Sequence, residues 1–139
     1  MAYDDNNIFA KILREEIPAH KILENEHALA FLDVMPQAKG HALVIPKAAS
    51  ENLLAADPAG FGPLLAMVQQ VAQAAMQAFQ ADGIVVQQFN NPVAGQTVFH
   101  THFHVIPRFE GVPLQAHSGE MADGDVLAEL AAAYRAVLS

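Results

Sequence analysis

The stretch Val98-Phe99-His100-Thr101-His102-Phe103-His104-Val105-Ile106-Pro107 decides how this chain is read. Side chains alternate along a strand, so His100, His102 and His104 are expected on one face and Phe99, Thr101, Phe103 and Val105 on the other. The apolar face should seal against a core. That predicts a buried strand over residues 98–106, ended by Pro107, which cannot continue a ladder. The opposite face carries three imidazoles, which need polar company because an unpaired polar ring is costly to bury.

Working upstream, Asn90 to Thr97 reads as a loop, with Pro92 and Gly95 inside it, and residues 84–90 as a strand. Ala81-Asp82-Gly83 is the turn before that strand. Residues 58–80 form the longest helix: Asp57 caps it, Pro58 sits where a missing N–H costs nothing, and Leu64, Val68, Val71, Ala75 and Phe79 share one face. His41-Ala-Leu-Val-Ile45 is a buried-type strand stopped by Pro46. Two shorter strands, about 20–25 and 27–33, flank a Glu24-Asn25-Glu26 turn. Asn6 or Asn7 caps a first helix through Ile8, Phe9, Ile12 and Leu13, which Pro18 ends. Downstream, residues 124–138 form a last helix with Val126, Leu130 and Tyr134 on one side. Helix, three strands, helix, two strands, helix is an α+β layer fold: helices packed on a five-stranded antiparallel sheet. Residues 1–139 make one domain, with residues 1–6 frayed and residues 112–139 a C-terminal extension.

Composition narrows the function classes. The 139 residues include no cysteine, which excludes disulfides, thiolate nucleophiles and cysteine-held metals. A net charge of −8 argues against a nucleic-acid backbone or an anionic membrane as partner. It leaves room for a small anion held by local N–H groups and imidazoles. No apolar run reaches the roughly 18 residues of a membrane span, and no charged segment leads into a short apolar one as a secretion signal would. The expectation is a cytoplasmic protein with neither a membrane nor a nucleic-acid partner.

Three readings of the histidine face compete: a solvated surface, a metal site in which His41 adds a ligand, and phosphoryl chemistry with a histidine nucleophile. Spacing alone does not separate the last two. The Ala94-Gly95-Gln96-Thr97 loop favours an oxyanion site, since Gly permits close approach and Gln and Thr carry neutral donors.

These residues together resemble a known signature. Asn90…Ala94-Gly95-Gln96-Thr97-Val98-Phe99-His100-Thr-His102-Phe-His104-Val-Ile-Pro-Arg108 looks like that of the histidine triad (HIT) superfamily, with Thr101 standing where that pattern has an apolar residue. Asn7-Ile-Phe9-Ala-Lys-Ile12, Glu16-Ile17-Pro18-Ala19, Ala30-Phe31-Leu32-Asp33-Val34 and Gly40-His41-Ala-Leu-Val44-Ile45-Pro46-Lys47 resemble its Hint branch. The resemblance covers about residues 6–110, and the segment from Val112 onward is similar to bacterial members.

The resemblance implies a cofactor-free hydrolase or transferase acting at the α-phosphate of purine nucleoside 5′-phosphoramidates or related nucleotidyl conjugates. Its alternatives are a dinucleoside polyphosphate hydrolase, or a nucleotide-binding or interaction module with little turnover. By position His102 matches the nucleophile that forms a nucleotidyl-histidine, and the His100 carbonyl its hydrogen-bond acceptor. His104 matches the donor to a phosphate oxygen, and His41 and His100 the pair flanking the site. Gly95, Gln96 and Thr97 match the loop holding phosphate and leaving group, Asp33 the ribose carboxylate, and Asn90 a ribose–phosphate contact. Ile8, Phe9, Ile12, Ile17, Phe31, Leu32 and Val34 would line the base pocket. His20, His27 and His117 fall outside the motif and are expected on the surface. A branch of the superfamily holds structural zinc with Cys-x-x-Cys and two histidines. Asn7 and Ala10 stand at those cysteine positions, so no metal is expected. The resemblance also implies a homodimer joining two sheets into one of ten strands, with the 58–80 helix a plausible interface.

Overall fold

The computed structural model describes residues 3–115 and 121–138. Helix α1, Ile8–Leu13, is capped by the Asn7 side chain, which accepts from the Ala10 N–H at 2.9 Å. Strands β1 (Lys21–Glu24), β2 (Ala28–Leu32) and β3 (Ala42–Pro46) follow. Pro58–Gly60 is a 3-10 turn capped by Asp57, and α2 runs from Phe61 to Phe79. It stops where Gln80 turns left-handed, earlier than the expected Ala81–Gly83 turn. Strands β4 (Gly83–Gln87) and β5 (Phe103–Arg108) complete the sheet, and α3 spans Gly124–Leu138. The five strands are antiparallel throughout, in the order β1-β2-β3-β5-β4.

Alternation divides β2 and β3 between two cores. Ala28, Ala30, Leu32, Ala42 and Val44 face α2 and α3, where Leu64, Met67, Val68, Val71, Leu127 and Tyr134 cover them. Small residues on that face let α2 lie close to the sheet. Leu29, Phe31, Leu43 and Ile45 face the other way, against Phe9 and Ile12 of α1. Both faces are covered, so all five residues of β2 are buried; burying a Leu29 or an Ile45 contributes roughly 1.5–3 kcal/mol. Arg135 anchors α3 to the sheet edge by donating to the Lys21 carbonyl at 2.7 Å.

One expectation needs correction. The predicted strand over 98–106 joins the sheet only from Phe103. Residues 98–102 are held by other partners. The Thr101 N–H donates to the Ser50 carbonyl at 2.9 Å, and the His100 ring donates to the Pro46 carbonyl at 2.8 Å. Thr101 is buried, and its hydroxyl meets that of Ser50 at 2.7 Å, which accounts for a polar residue where the motif carries an apolar one. The N-terminus also differs from expectation: Tyr3 lies within the segment read as frayed, yet its hydroxyl reaches His100 Nδ1 at 2.6 Å. His27 is exposed and His20 half-buried, while His117 lies outside the described residues. Among the described residues no helix is long and apolar enough to cross a membrane.

Candidate active site

The α1 side of the sheet gathers most of the predicted residues. His104 pairs across the ladder with Leu43 and with Gln87, so it shares the face of Leu43 and Phe31. His41 immediately precedes β3 and Asp33 immediately follows β2, which puts both at the same end of that face. The rings of His102 and His104 lie 5.1 Å apart, and those of His41 and His104 5.2 Å. Phe9 stands edge-on to His102 at 4.9 Å and to Phe31 at 5.5 Å. Phe89 stands edge-on to His104 at 5.6 Å. All four histidines and Asp33 are buried.

The protonation pattern follows from groups whose roles are not in doubt. A backbone N–H only donates and a carbonyl only accepts. The Gln37 N–H donates to His41 Nδ1 at 3.0 Å, so His41 carries its proton on Nε2. That nitrogen lies 2.9 Å from His104 Nδ1 and 3.5 Å from Asp33 Oδ2. His104 Nδ1 therefore accepts, and its own proton sits on Nε2. His102 Nδ1 is 2.7 Å from the His100 carbonyl, so it donates there and leaves the lone pair on Nε2. Two neighbouring imidazoles thus carry opposite polarity at Nε2: a base on His102 and a donor on His104.

His100 stands apart from this chain. Its Nε2–H donates to Pro46 and its Nδ1 accepts from the Tyr3 hydroxyl. Its part in the site is the main-chain carbonyl under His102, and it does not pair with His41 as a flank. Burial, with a smaller contribution from the charge His102 can carry, holds the His100 pKa below its ordinary 6.5, against the opposing effect of the Pro46 hydrogen bond. Its unfolded form therefore takes up a proton first as pH falls. Stability is complete above about 6.5 and is lost as pH drops from there through the folded value. The melting temperature should fall more steeply between pH 7.5 and 5.5 for the wild type than for His100→Asn. Equal slopes would remove His100 from the acid response.

The loop residues divide. Gly95 (φ +107) and Thr97 are exposed, and a Cβ at Gly95 would lie 3.5 Å from the ring of Phe89, which itself stands edge-on to His104. Gln96 is buried and fully engaged: its oxygen accepts from the Asn91 N–H (2.7 Å) and the Asn52 amide (3.2 Å). Its nitrogen donates to the carbonyls of Glu51 (2.8 Å) and Val98 (3.0 Å). That is the whole capacity of an amide. Gln96 is a strut, not the phosphate donor expected of it. It braces Asn91, whose φ of 76° and ψ of 153° lie in a region that side chains rarely adopt. Asn90 likewise ties the loop down, accepting from the Leu53 N–H at 2.9 Å and exchanging hydrogen bonds with Gln88.

Among the expected base-pocket residues, Phe9, Ile12, Ile17 and Phe31 share one cluster beside His102, and Ile8 is exposed at the end of α1. Leu32 is buried in the α2/α3 core and Val34 packs against it. The alternation that turns Phe31 and Asp33 toward the site turns Leu32 and Val34 away from it.

A profile of the HIT domain matches residues 14–111 of this chain. The chain belongs to the HIT family. A HIT-like protein from Bartonella henselae, described as involved in cell-cycle regulation and solved with an unknown ligand, is 50% identical. The match covers 99% of each chain, with a TM-score of 0.94. A zinc-bound HIT family protein from Mycobacterium smegmatis is 35% identical over 96% of this chain and 93% of its own, with a TM-score of 0.84. The Arabidopsis thaliana protein named Adenylylsulfatase HINT3 is 36% identical over 103 residues, 74% of this chain and 52% of that protein.

The zinc of such relatives does not fit the residues present here. Asn7 caps α1, Ala10 has no donor atom, and both ring nitrogens of His100 are engaged. Asp33, His41 and His104 do place ligand atoms within 4.8 Å of one another. However, a neutral His41 binding metal through Nε2 would carry its proton on Nδ1, against the Gln37 N–H already pointing there.

Proposed function

We propose that this HIT protein hydrolyses purine nucleoside 5′-phosphoramidates or related nucleotidyl conjugates at the α-phosphorus. The observation that carries the reading is the opposite polarity of His102 and His104. His102 Nε2 attacks phosphorus as the bond to the amine breaks, the amine nitrogen taking up a proton from solvent as it leaves; the water of the second displacement gives one back. Water then attacks the nucleotidyl-histidine, the P–Nε2 bond breaks, and the nucleoside 5′-monophosphate leaves. The positive charge that develops on the His102 ring is met by the His100 carbonyl at Nδ1. His104 Nε2–H donates to a non-bridging phosphate oxygen, and Gly95 and Thr97 hold the phosphate and leaving group. Asp33, whose Oδ1 accepts from the Met35 N–H at 2.8 Å, receives the ribose hydroxyls. The base lies between Phe9, Ile12, Ile17 and Phe31. The relative named an adenylylsulfatase supports water as final acceptor and an adenylyl group as cargo.

The same reading includes a cytoplasmic homodimer. Its support is the β4 sheet edge, where Val86 is exposed, together with Leu65 and Met76, which are exposed on α2. One preparation tests both parts. The wild-type chain should release amine from an adenosine phosphoramidate, and acid quench should trap an adenylyl-protein adduct at His102. It should also sediment at twice 14.9 kDa. Faster cleavage of a diadenosine polyphosphate would move the substrate class. Tight nucleotide binding without adduct or turnover would leave a binding module, and a 14.9 kDa species would remove the dimer.

A further inference from the structure

The loop that joins β2 to β3 carries Asp33, the Gln37 N–H and His41, and the C-terminal segment holds that loop from behind. Three of the loop's carbonyls, spaced three residues apart, are gripped. The Ala122 N–H donates to Val34 O at 2.8 Å, the Gln115 N–H to Gln37 O at 2.8 Å, and the Tyr134 hydroxyl to Gly40 O at 2.6 Å. Tyr134 is wholly buried, and burial pushes its pKa far above the ordinary value, so its hydroxyl stays a donor. Phe79 stands edge-on to it at 5.0 Å. The close packing of Phe79 also explains residue 40: at φ +84, a Cβ there would lie 2.6 Å from the Phe79 ring. Gly40, Phe79 and Tyr134 form one interlocked unit directly before His41.

The backbone of Gln37 links the C-terminal segment to the chemistry. Its N–H sets the His41 tautomer, and its C=O is the group Gln115 holds. On the inner side, the Asp33 N–H donates to the His41 carbonyl at 3.0 Å, closing the loop on itself.

We infer that Tyr134 is a positioning residue: through Gly40 it holds the 33–41 loop so that Gln37 keeps His41 protonated on Nε2, and His41 in turn keeps the His104 proton on Nε2, facing the phosphate. This gives the C-terminal extension a role in the reaction, and it rests on the function proposed above. A loosened loop lets His41 exchange tautomers, and His104 then offers phosphate a lone pair instead of a donor.

The experiment uses the full chain and Tyr134→Phe, which keeps the ring and removes the hydroxyl. Long-range 1H–15N spectra read the tautomers of His41 and His104 without any substrate. The wild type should show Nε2–H on both. The variant should show His104 moving to a mixture of tautomers, with kcat lowered roughly tenfold and KM changed less than twofold. Should Tyr134→Phe fail to fold, Gln115→Pro deletes the N–H that holds Gln37 at an exposed position and should give the same two signs. A variant with wild-type nitrogen shifts and an unchanged kcat, differing only in melting temperature, overturns the inference. Wild-type spectra as expected but no turnover on any nucleotide would instead overturn the proposed reaction and leave the tautomer relay standing.

Discussion

His102→Asn should lower kcat/KM for an adenosine phosphoramidate by at least about 10³-fold while leaving KM within a few-fold of wild type. The asymmetry comes from the site's geometry. Asparagine places an amide N–H near the former Nδ1, so the hydrogen bond to the His100 carbonyl survives, at 2.7 Å in the wild type. The edge contact with Phe9 shrinks, but Asp33, Phe31, Gly95 and Thr97 are untouched, so the nucleotide still binds. What is lost is the lone pair that attacks phosphorus and the ring that carries the nucleotidyl group between two displacements. Neither has a substitute nearby. His104 Nε2 carries a proton and His41 is turned toward His104, so no second imidazole presents a base. The acid limb should agree. In the wild type kcat/KM should fall as pH is lowered, because a protonated His102 has no lone pair, and the apparent pKa belongs to the coupled histidines together. Turnover of His102→Asn within tenfold of wild type, or a flat wild-type rate from pH 5 to 8, would falsify the nucleophilic role.

The legible part of this molecule was the part written in short-range pattern. Period-two alternation placed His102 and His104 on one face and located β5, between β3 and β4 in the sheet, and helix caps at Asn7 and Asp57 fall where side-chain chemistry alone puts them. The residues that alternation could not handle are those whose partners are distant in sequence. Thr101 pairs with Ser50 and His100 with Pro46, contacts across about fifty residues, and these keep residues 98–102 out of the ladder. Tyr3 carries no local signal that it reaches His100. The placing of Leu32 beside Phe31 in one base pocket, by contrast, conflicted with alternation from the start, since neighbours in a strand face apart. The Gln37 N–H could not have been found at all. A backbone group has no sequence identity, yet it sets the direction of the relay through His41 and His104.

Gln96→Glu should destabilise the fold by about 3–5 kcal/mol at pH 7, the second large effect expected here. The substitution keeps the shape and changes only the donors. The two amide hydrogens that satisfied the Glu51 and Val98 carbonyls are gone, and a carboxylate oxygen 2.8–3.0 Å from those carbonyls meets two like partial charges in a buried place. Desolvation and this repulsion both raise the pKa of the introduced carboxyl above its unfolded value of about 4.3. The penalty is therefore absent below about pH 4 and grows as pH rises through the unfolded value, until the folded carboxyl ionises too. A protonated carboxyl can still donate to one of the two carbonyls, so the variant should recover much of its stability in mild acid, the reverse of the His100 effect. Denaturant melts at pH 5 and pH 7.5 would show the stability gap between variant and wild type narrowing at the lower pH. The activity should follow the fold, because the strut holds Asn91 in its unusual backbone conformation and with it the loop that carries Gly95 and Thr97. A Gln96 that instead touched phosphate would give a different result: Gln96→Glu at wild-type stability, with KM raised by charge repulsion. That outcome would restore Gln96 to the binding set and remove it from the frame.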